Sequence, residues 1–277
     1  ANARNKYIQA TSGKYLAIID ADDQWLENKL ATQIDFLEKH PDYAICGTYA
    51  NKTDGNRSVI WKYPTTDEEI KIRLIWGSAF IHSSLVIRSE VLTKYDIKYK
   101  SIFNPAEDYA SITEIITKSG LRAINIPSVH LNYFLHDLQL THIQKEKQEK
   151  AAIQISCTYL QATNINIKAV NSSYKLFSKL FQYKFSALTY HDLKECKQLF
   201  EKIILMNYDN KYFDQDLLQK SLSSRWFLAC YHSPTGIKVL KLFFGANKTL
   251  SPAYPNLFLM TKFIIIKFFQ SIKMIKI

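Results

Sequence analysis

The chain has 277 residues, enough for one large domain or two moderate ones with a real core. Hydrophobic residues make up 47% and charged residues 22%, a balance that excludes an intrinsically disordered chain. A formal charge of +11 implies an anionic partner. No nucleic-acid-binding motif accompanies that charge, which leaves acidic lipid and phosphorylated substrates. The four cysteines, Cys46, Cys157, Cys196 and Cys230, form no C-x-x-C pair, which argues against a disulfide framework or a zinc site and suits a reducing cytoplasm. There is no P-loop, G-x-G-x-x-G, G-x-S-x-G or H-E-x-x-H. With seven glycines in all, phosphates must be handled by metal, arginine or helix N-termini rather than by a glycine-rich cradle.

In chain order, Asn2 to Ala10 reads as a short helix. Tyr15 to Ile19 is a continuous apolar run, the pattern of a strand buried on both faces of a parallel sheet. It runs straight into Asp20, Asp22 and Asp23. Ligands of open α/β sheets bind beyond the carboxyl ends of the strands, and clustered carboxylates are the oxygen ligands that hard divalent cations take. The alternative is a solvated turn in which Asp23 caps the next helix. A phosphatase of the haloacid-dehalogenase type also uses a D-x-D, but Gln24 stands where a Thr or Val belongs. Leu26, Leu30, Ile34 and Leu37 then repeat at helical spacing up to His40-Pro41-Asp42, with Trp25 packed at the helix start.

Tyr43 to Tyr49 and Val59 to Lys62 form a predicted hairpin around Asp54-Gly55. Thr66 and Glu69 make a capping box for a helix to about Trp76. Phe80 to Ile87 reads as a strand, with His82 as a satisfied sheet histidine. The next helix opens at Asn104-Pro105-Ala106-Glu107-Asp108, with Pro105 in its first turn. By spacing alone its acids merely complement the macrodipole. Leu121 to Ile126 and Val129 to His136 are two expected strands joined through Pro127, and Thr141 with Gln144 caps a long helix to about Gln161.

Beyond residue 145 the pattern is helical. Helices are expected over Ser173 to Tyr183, His191 to Met206, Phe213 to Tyr231, and Pro234 to Phe244 with Ser233 as N-cap. His142, His191 and His232 lack ligand spacing. From Gly245 onward there are five lysines and no acid, and Asn256 to Ile277 is nearly all apolar between them. Charge interrupts a spanning helix; a basic helix lying in the interface of anionic lipid fits better, against the alternative of a final helix docked on its own domain.

Ala3-Arg4-Asn5, then Ala10 to Gly13-Lys14-Tyr15, then Ile19-Asp20-Ala21-Asp22-Asp23 with Trp25, resemble a family 2 glycosyltransferase of the GT-A fold. The likeness continues through Glu107-Asp108 and Tyr133 to His136, over roughly the first half of the chain. It implies a GT-A-like mixed, mainly parallel sheet flanked by helices over residues 1–144, lacking the family's opening nucleotide-binding strands, before a mainly α-helical region at 145–277. That region ends in a basic, membrane-associating tail from about residue 256.

The resemblance implies an inverting transferase that moves a sugar from a nucleotide-diphosphate sugar to a hydroxyl of a glycan or lipid-linked acceptor in cell-surface polysaccharide synthesis. Asp22, with Asp20 and His136, would hold Mn²⁺ or Mg²⁺, and Arg4, Asp20 and Asp22 would bind the donor. Asp108 would be the general base, with Glu107 positioning it or the acceptor. The expected place is cytoplasmic, peripheral on the inner face of the membrane. The competing reading is an inactive remnant that binds membrane or a partner, with a metal-dependent phosphatase as a third.

Overall fold

In a computed structural model the described residues are 1–135, 144–166, 174–245, 250 and 257–275. They form two compact units, Ala1–Tyr159 and Leu160–Ile277. The first opens with α1 (Asn2–Ala10), β1 (Tyr15–Ala17), β2 (Gln24–Trp25), α2 (Lys29–Lys39), β3 (Tyr43–Thr53), β4 (Ser58–Trp61) and α3 (Asp67–Arg73). It continues with β5 (Val86–Arg88), α4 (Ser89–Lys94), α5 (Glu107–Ser119), β6 (Arg122–Phe134) and α6 (Lys145–Ala162).

The strands make one mixed sheet in the order β1-β5-β3-β6-β2, with β4 on the far half of β3's β5-side edge. A mixed sheet flanked by helices matches the expected fold, but the balance of directions differs. Among the described residues only β3 with β6 is parallel, although it is the longest pairing. The run Tyr15 to Ile19 contributes three residues to the ladder, half-buried and antiparallel to β5. Ile18 keeps one bond to the Leu85 carbonyl, and Ile19 turns outward, 46% exposed, as the chain leaves for Asp20. β1 pairs with β5 alone among the described residues.

Three local expectations give way to side-chain and backbone chemistry. Phe80 to Ile87 is not one strand: His82–Ser84 form a 3-10 turn, because both the amide and the hydroxyl of Ser84 bond back to the Ile81 carbonyl. The two strands expected around Pro127 are a single β6. Thr48 pairs with Ile126 and Tyr49 with Val129, so Pro127 and Ser128 sit in a bulge where no ladder donor is required. Pro105 precedes α5, which starts at Glu107.

Buried polar groups lock the elements together. Gln33 of α2 donates to the carbonyls of Cys46 (2.7 Å) and Ser84 (2.9 Å). Arg88 of β5 satisfies carbonyls at the C-terminus of α2, donating to those of Leu37 and His40. Gly47 leaves room for the Asn125 side chain, since a Cβ there would lie 2.2 Å from its Oδ1. Thr66 caps α3 through the Glu69 amide.

The two compact units part at Tyr159, inside α6. The start of α6 belongs to the first unit because Ser156 and Tyr159 donate to the carbonyls of Ile75 and Lys71. The second unit holds α7 (Tyr174–Phe181), α8 (Tyr190–Asn210), α9 (Gln215–His232), α10 (Lys238–Phe244) and α11 (Leu257–Ile275). Thr189 and Asp192 form a full capping box on α8. Asn207 clamps the α8–α9 turn through Phe213 and Gln215. Arg225 donates to the Leu180 carbonyl (2.5 Å) and the Tyr183 hydroxyl (2.7 Å). Ser233 closes α9 rather than opening α10, its hydroxyl bonding the Cys230 carbonyl. The proposed Thr141 cap lies outside the described residues.

Candidate functional site

β1 delivers Asp20 to the sheet's carboxyl side, where α1 and α5 bring Arg4 and Glu107 to meet it. Arg4 spans the two acids, its Nη2 3.1 Å from Asp20 Oδ1 and its Nη1 3.2 Å from Glu107 Oε1. Asp20 Oδ2 is held from the other side by His82 Nδ1 (3.2 Å) and the Ser83 hydroxyl (3.3 Å). Burial pushes the Asp20 carboxyl up, but His82 and then Arg4 outweigh it and hold the group down at about 2. His82 Nε2 meets the Tyr99 hydroxyl at 3.1 Å. Tyr99 is pinned by paired 2.8 Å backbone bonds to the Asn5 side chain, and burial raises its phenol far above the usual range. The result is a closed ring of contacts: Arg4, Asp20, His82, Tyr99 and back to α1.

Asp22 and Asp23 stand apart from that ring. Asp22 is exposed, and Asp23 half-buried. Asp23 Oδ1 accepts from the Phe134 amide (3.4 Å), while its Oδ2 is buried without a hydrogen-bond partner. Burial first, then the charges of Asp22 and Asp20, push the Asp23 carboxyl up to about 6, opposed by Ser83 and the Phe134 amide. Asp23 does not cap α2, whose N-cap is Asn28 with φ 61°.

An orphaned carboxylate oxygen beside a second acid fits a divalent cation through Asp22 and Asp23. Asp20, with both oxygens engaged, fits an anchor for Arg4 better than a ligand. Among the described residues no three His, Cys, Asp or Glu side chains gather as a metal cluster, and His136 lies outside the described residues.

Of the two acids opening α5, Glu107 is buried on Arg4, whereas Asp108 is half-exposed. Apart from burial, the charge of Asp108 acts on both Arg4 and Tyr63, raising the pKa of each. An aromatic wall accompanies these acids. Trp61 packs against Tyr63 at 5.5 Å and Tyr133 at 5.2 Å between ring centres. Burial, followed by Asp23 and its neighbours, raises the Tyr133 phenol to about 12. Trp25 is a packing residue: its Nε1 donates to the Ser83 carbonyl (3.0 Å), and the Lys29 ammonium sits 4.4 Å over its ring.

Sequence reading brought together Arg4, Asp20, Asp22, Glu107 and Asp108, and missed His82, Tyr99, Trp61 and Tyr63. The one signal available was His82 within a run of small residues just before β5.

Residues 1–96 match the family model described as Glycosyl transferase family 2. Among curated relatives, an uncharacterized glycosyltransferase of Haemophilus influenzae is 28% identical over 189 residues, covering 62% of this chain and 57% of that protein. The Escherichia coli UDP-Glc:alpha-D-GlcNAc-diphosphoundecaprenol beta-1,3-glucosyltransferase WfaP is 24% identical over 180 residues, covering 61% of this chain and 68% of that one. The chain thus spans little more than half the length of the Haemophilus relative. Among solved structures, S. aureus TarS 1-349 in complex with UDP-GlcNAc aligns at TM-score 0.49 and 13% identity, over 80% of this chain and 70% of that one.

Proposed function

From the match of residues 1–96 to the glycosyl transferase family 2 model, we propose that the chain transfers a sugar from a nucleotide-diphosphate sugar, with inversion, to a hydroxyl of a glycan or lipid-linked acceptor in cell-surface polysaccharide synthesis. The observation that carries the reading is the convergence of Arg4, Asp20 and the Glu107–Asp108 pair at the carboxyl end of β1. Asp108 takes the proton from the attacking acceptor hydroxyl, a role worth typically about 10²–10⁴-fold. Glu107 holds Arg4, and Arg4 is oriented by its two carboxylates to face the donor phosphates. Asp22 with Asp23 would hold Mn²⁺ or Mg²⁺, and that ion would neutralise charge on the departing pyrophosphate. Trp61, Tyr63 and Tyr133, packed against Ala50, Ile81 and Leu131 with Lys52 over Trp61 and Arg73 over Tyr63, are rings of the kind that sugars pack against.

WfaP and WfgD of Escherichia coli, by their names, use UDP-Glc and a GlcNAc-diphosphoundecaprenol acceptor. We carry that chemistry over as the first donor and acceptor to try, together with a peripheral position on the inner face of the membrane. Calorimetric titration with UDP-Glc and UDP-GlcNAc, with and without Mn²⁺, followed by transfer to a GlcNAc-diphospholipid, tests it. Metal-dependent donor binding and a new glycosidic bond are expected. Asp22→Asn should remove the metal dependence. Failure to bind any nucleotide sugar with metal present would favour a non-catalytic membrane- or partner-binding module. Release of phosphate from simple monoesters would favour a phosphatase.

A further inference from the structure

The positive charge of this protein is concentrated in one unit. Residues 1–159 carry 19 Lys and Arg against 19 Asp and Glu, so the whole formal charge of +11 belongs to residues 160–277. Within that unit Asp216 is the last acid, and from Leu217 onward eight lysines and Arg225 follow without one.

The same stretch holds a helix with two apolar faces. The inner face of α11 is docked. Phe263 is fully buried, with ring centres 5.3 Å from Phe243 and 5.7 Å from Phe227. Lys267, also buried, donates to the Ser233 carbonyl and to Gln270 (3.0 Å), and the Ser271 hydroxyl accepts from the Ile237 amide (2.6 Å). The opposite face presents Ile264, Ile265, Phe268 and Phe269, exposed by 42, 48, 53 and 60%. A helix on a globular domain normally turns one apolar stripe inward and a polar one outward; here the outward stripe is apolar as well. Lys262 is exposed beside it on the helix, and Ile237, Lys238, Lys241 and Phe244, before and within α10, are exposed as well.

We propose that the outward stripe of α11, with the lysines of the acid-free stretch of sequence from Leu217 onward, is a docking surface for an anionic lipid bilayer. The proposal deepens only the membrane-facing part of the reading above. The helix lies flat: its inner face is fixed to α9 and α10, and no described helix is long and apolar enough to cross a membrane. Charge chooses the occupant. A second copy would bring the same lysine-bearing stripe against itself, like charge on like, whereas a bilayer of acidic headgroups answers the lysines while its acyl region takes the phenylalanines.

Flotation of the full chain with vesicles, without nucleotide sugar, tests this. Binding to phosphatidylcholine vesicles containing about 30% phosphatidylglycerol should exceed binding to phosphatidylcholine alone by about tenfold or more, and weaken in about 0.5 M salt. Ile265→Asn with Phe268→Asn should lower it by about tenfold or more. Phe268→Trp should shift its emission to the blue on the acidic vesicles, a readout that needs no destabilising change. Asp22→Asn, which removes the proposed donor site, should leave vesicle binding unchanged, so loss of the catalytic reading and loss of this one are separable. Undiminished vesicle binding by the double variant, or no blue shift, overturns the proposal. Self-association abolished by the double variant with vesicle affinity unaltered would do so too, and would make the stripe a contact between copies.

Discussion

The two units use charge in opposite ways. Residues 1–159 are neutral as a whole, and their ionic groups answer one another: Arg4 with Asp20 and Glu107, Lys71 with Asp67, Lys100 with Glu114. Residues 160–277 hold 17 basic groups against six acidic ones, and most of the excess has no acid in sequence reach. Internal pairing fixes a side chain's direction, which a reacting centre requires. Excess positive charge leaves a long-range field that draws in an anionic surface, which a reacting centre does not require. On the functions proposed above, chemistry belongs to the first unit and attachment to the second.

The sharpest way to break that assignment is to remove the base. Asp108→Asn should lower transfer by about two or more orders of magnitude while donor affinity stays nearly constant. Ile265→Asn with Phe268→Asn in the second unit should leave kcat on a water-soluble acceptor unchanged. Steady-state kinetics beside donor titration reads both. Equal loss of donor affinity in Asp108→Asn would make that residue a donor contact instead. A fall in kcat for the α11 variant would end the division of labour.

Arg4 is next in size. Arg4→Ala leaves Glu107 buried without its guanidinium partner and Asp20 with only His82 and the Ser83 hydroxyl, a loss of about 1–3 kcal/mol once the partial exposure of Arg4 is allowed for. Urea unfolding followed through tryptophans of the first unit should show it. Donor affinity should fall in parallel, because Asp20 and Glu107 then face the phosphates as unscreened anions. A stable Arg4→Ala protein with unaltered donor affinity would mean that the pair carries neither fold nor function. His82→Asn keeps a donor near Asp20 but drops Tyr99, and is expected to lose less than His82→Ala.

Much of this site was legible in the sequence because its signals are local. α1, the β3–β4 hairpin at Asp54-Gly55, the Thr66 cap and the acids ending β1 are each set by neighbours within a few residues. His82 was not, since its role depends on Asp20 and Tyr99, which are 62 and 17 positions away. Trp61 and Tyr133 meet only because β4 and β6 flank β3 on opposite edges. The bulge at Pro127 resembles a strand break in sequence, because a proline ends a ladder unless the register can absorb it. The boundary inside α6 was invisible for a related reason: helical periodicity does not say which unit a face packs on. The charge division between the units required only counting, but needed the boundary at Tyr159 to give the count its meaning.

The smallest effects expected are two pH slopes of opposite sign, one in each unit. Burial, with Asp22 and Asp20 nearby, holds the Asp23 carboxyl at about 6, above its ordinary 3.8. The folded state therefore binds more protons than the unfolded one between those values, and the first unit loses stability as pH rises through that window. Burial holds Lys267 at about 8, below its ordinary 10.5. There the unfolded state binds more protons, so the second unit gains stability as pH rises from about 8 to 10.5. Solvent screening of half-buried Asp23 reduces its share to about 1 kcal/mol. Trp226 is the single tryptophan of residues 160–277, and the other three lie in residues 1–159. Urea unfolding of a Trp226→Phe protein thus reports the first unit, and a protein retaining only Trp226 reports the second. Asp23→Asn should abolish the acid-side slope and raise stability at neutral pH, measured with chelator present because a bound cation would relieve the same strain. Lys267→Met should abolish the alkaline slope and leave the acid one intact. If either substitution flattened both slopes, the two units would share one electrostatic economy, and the separation of chemistry from attachment would lose its physical basis.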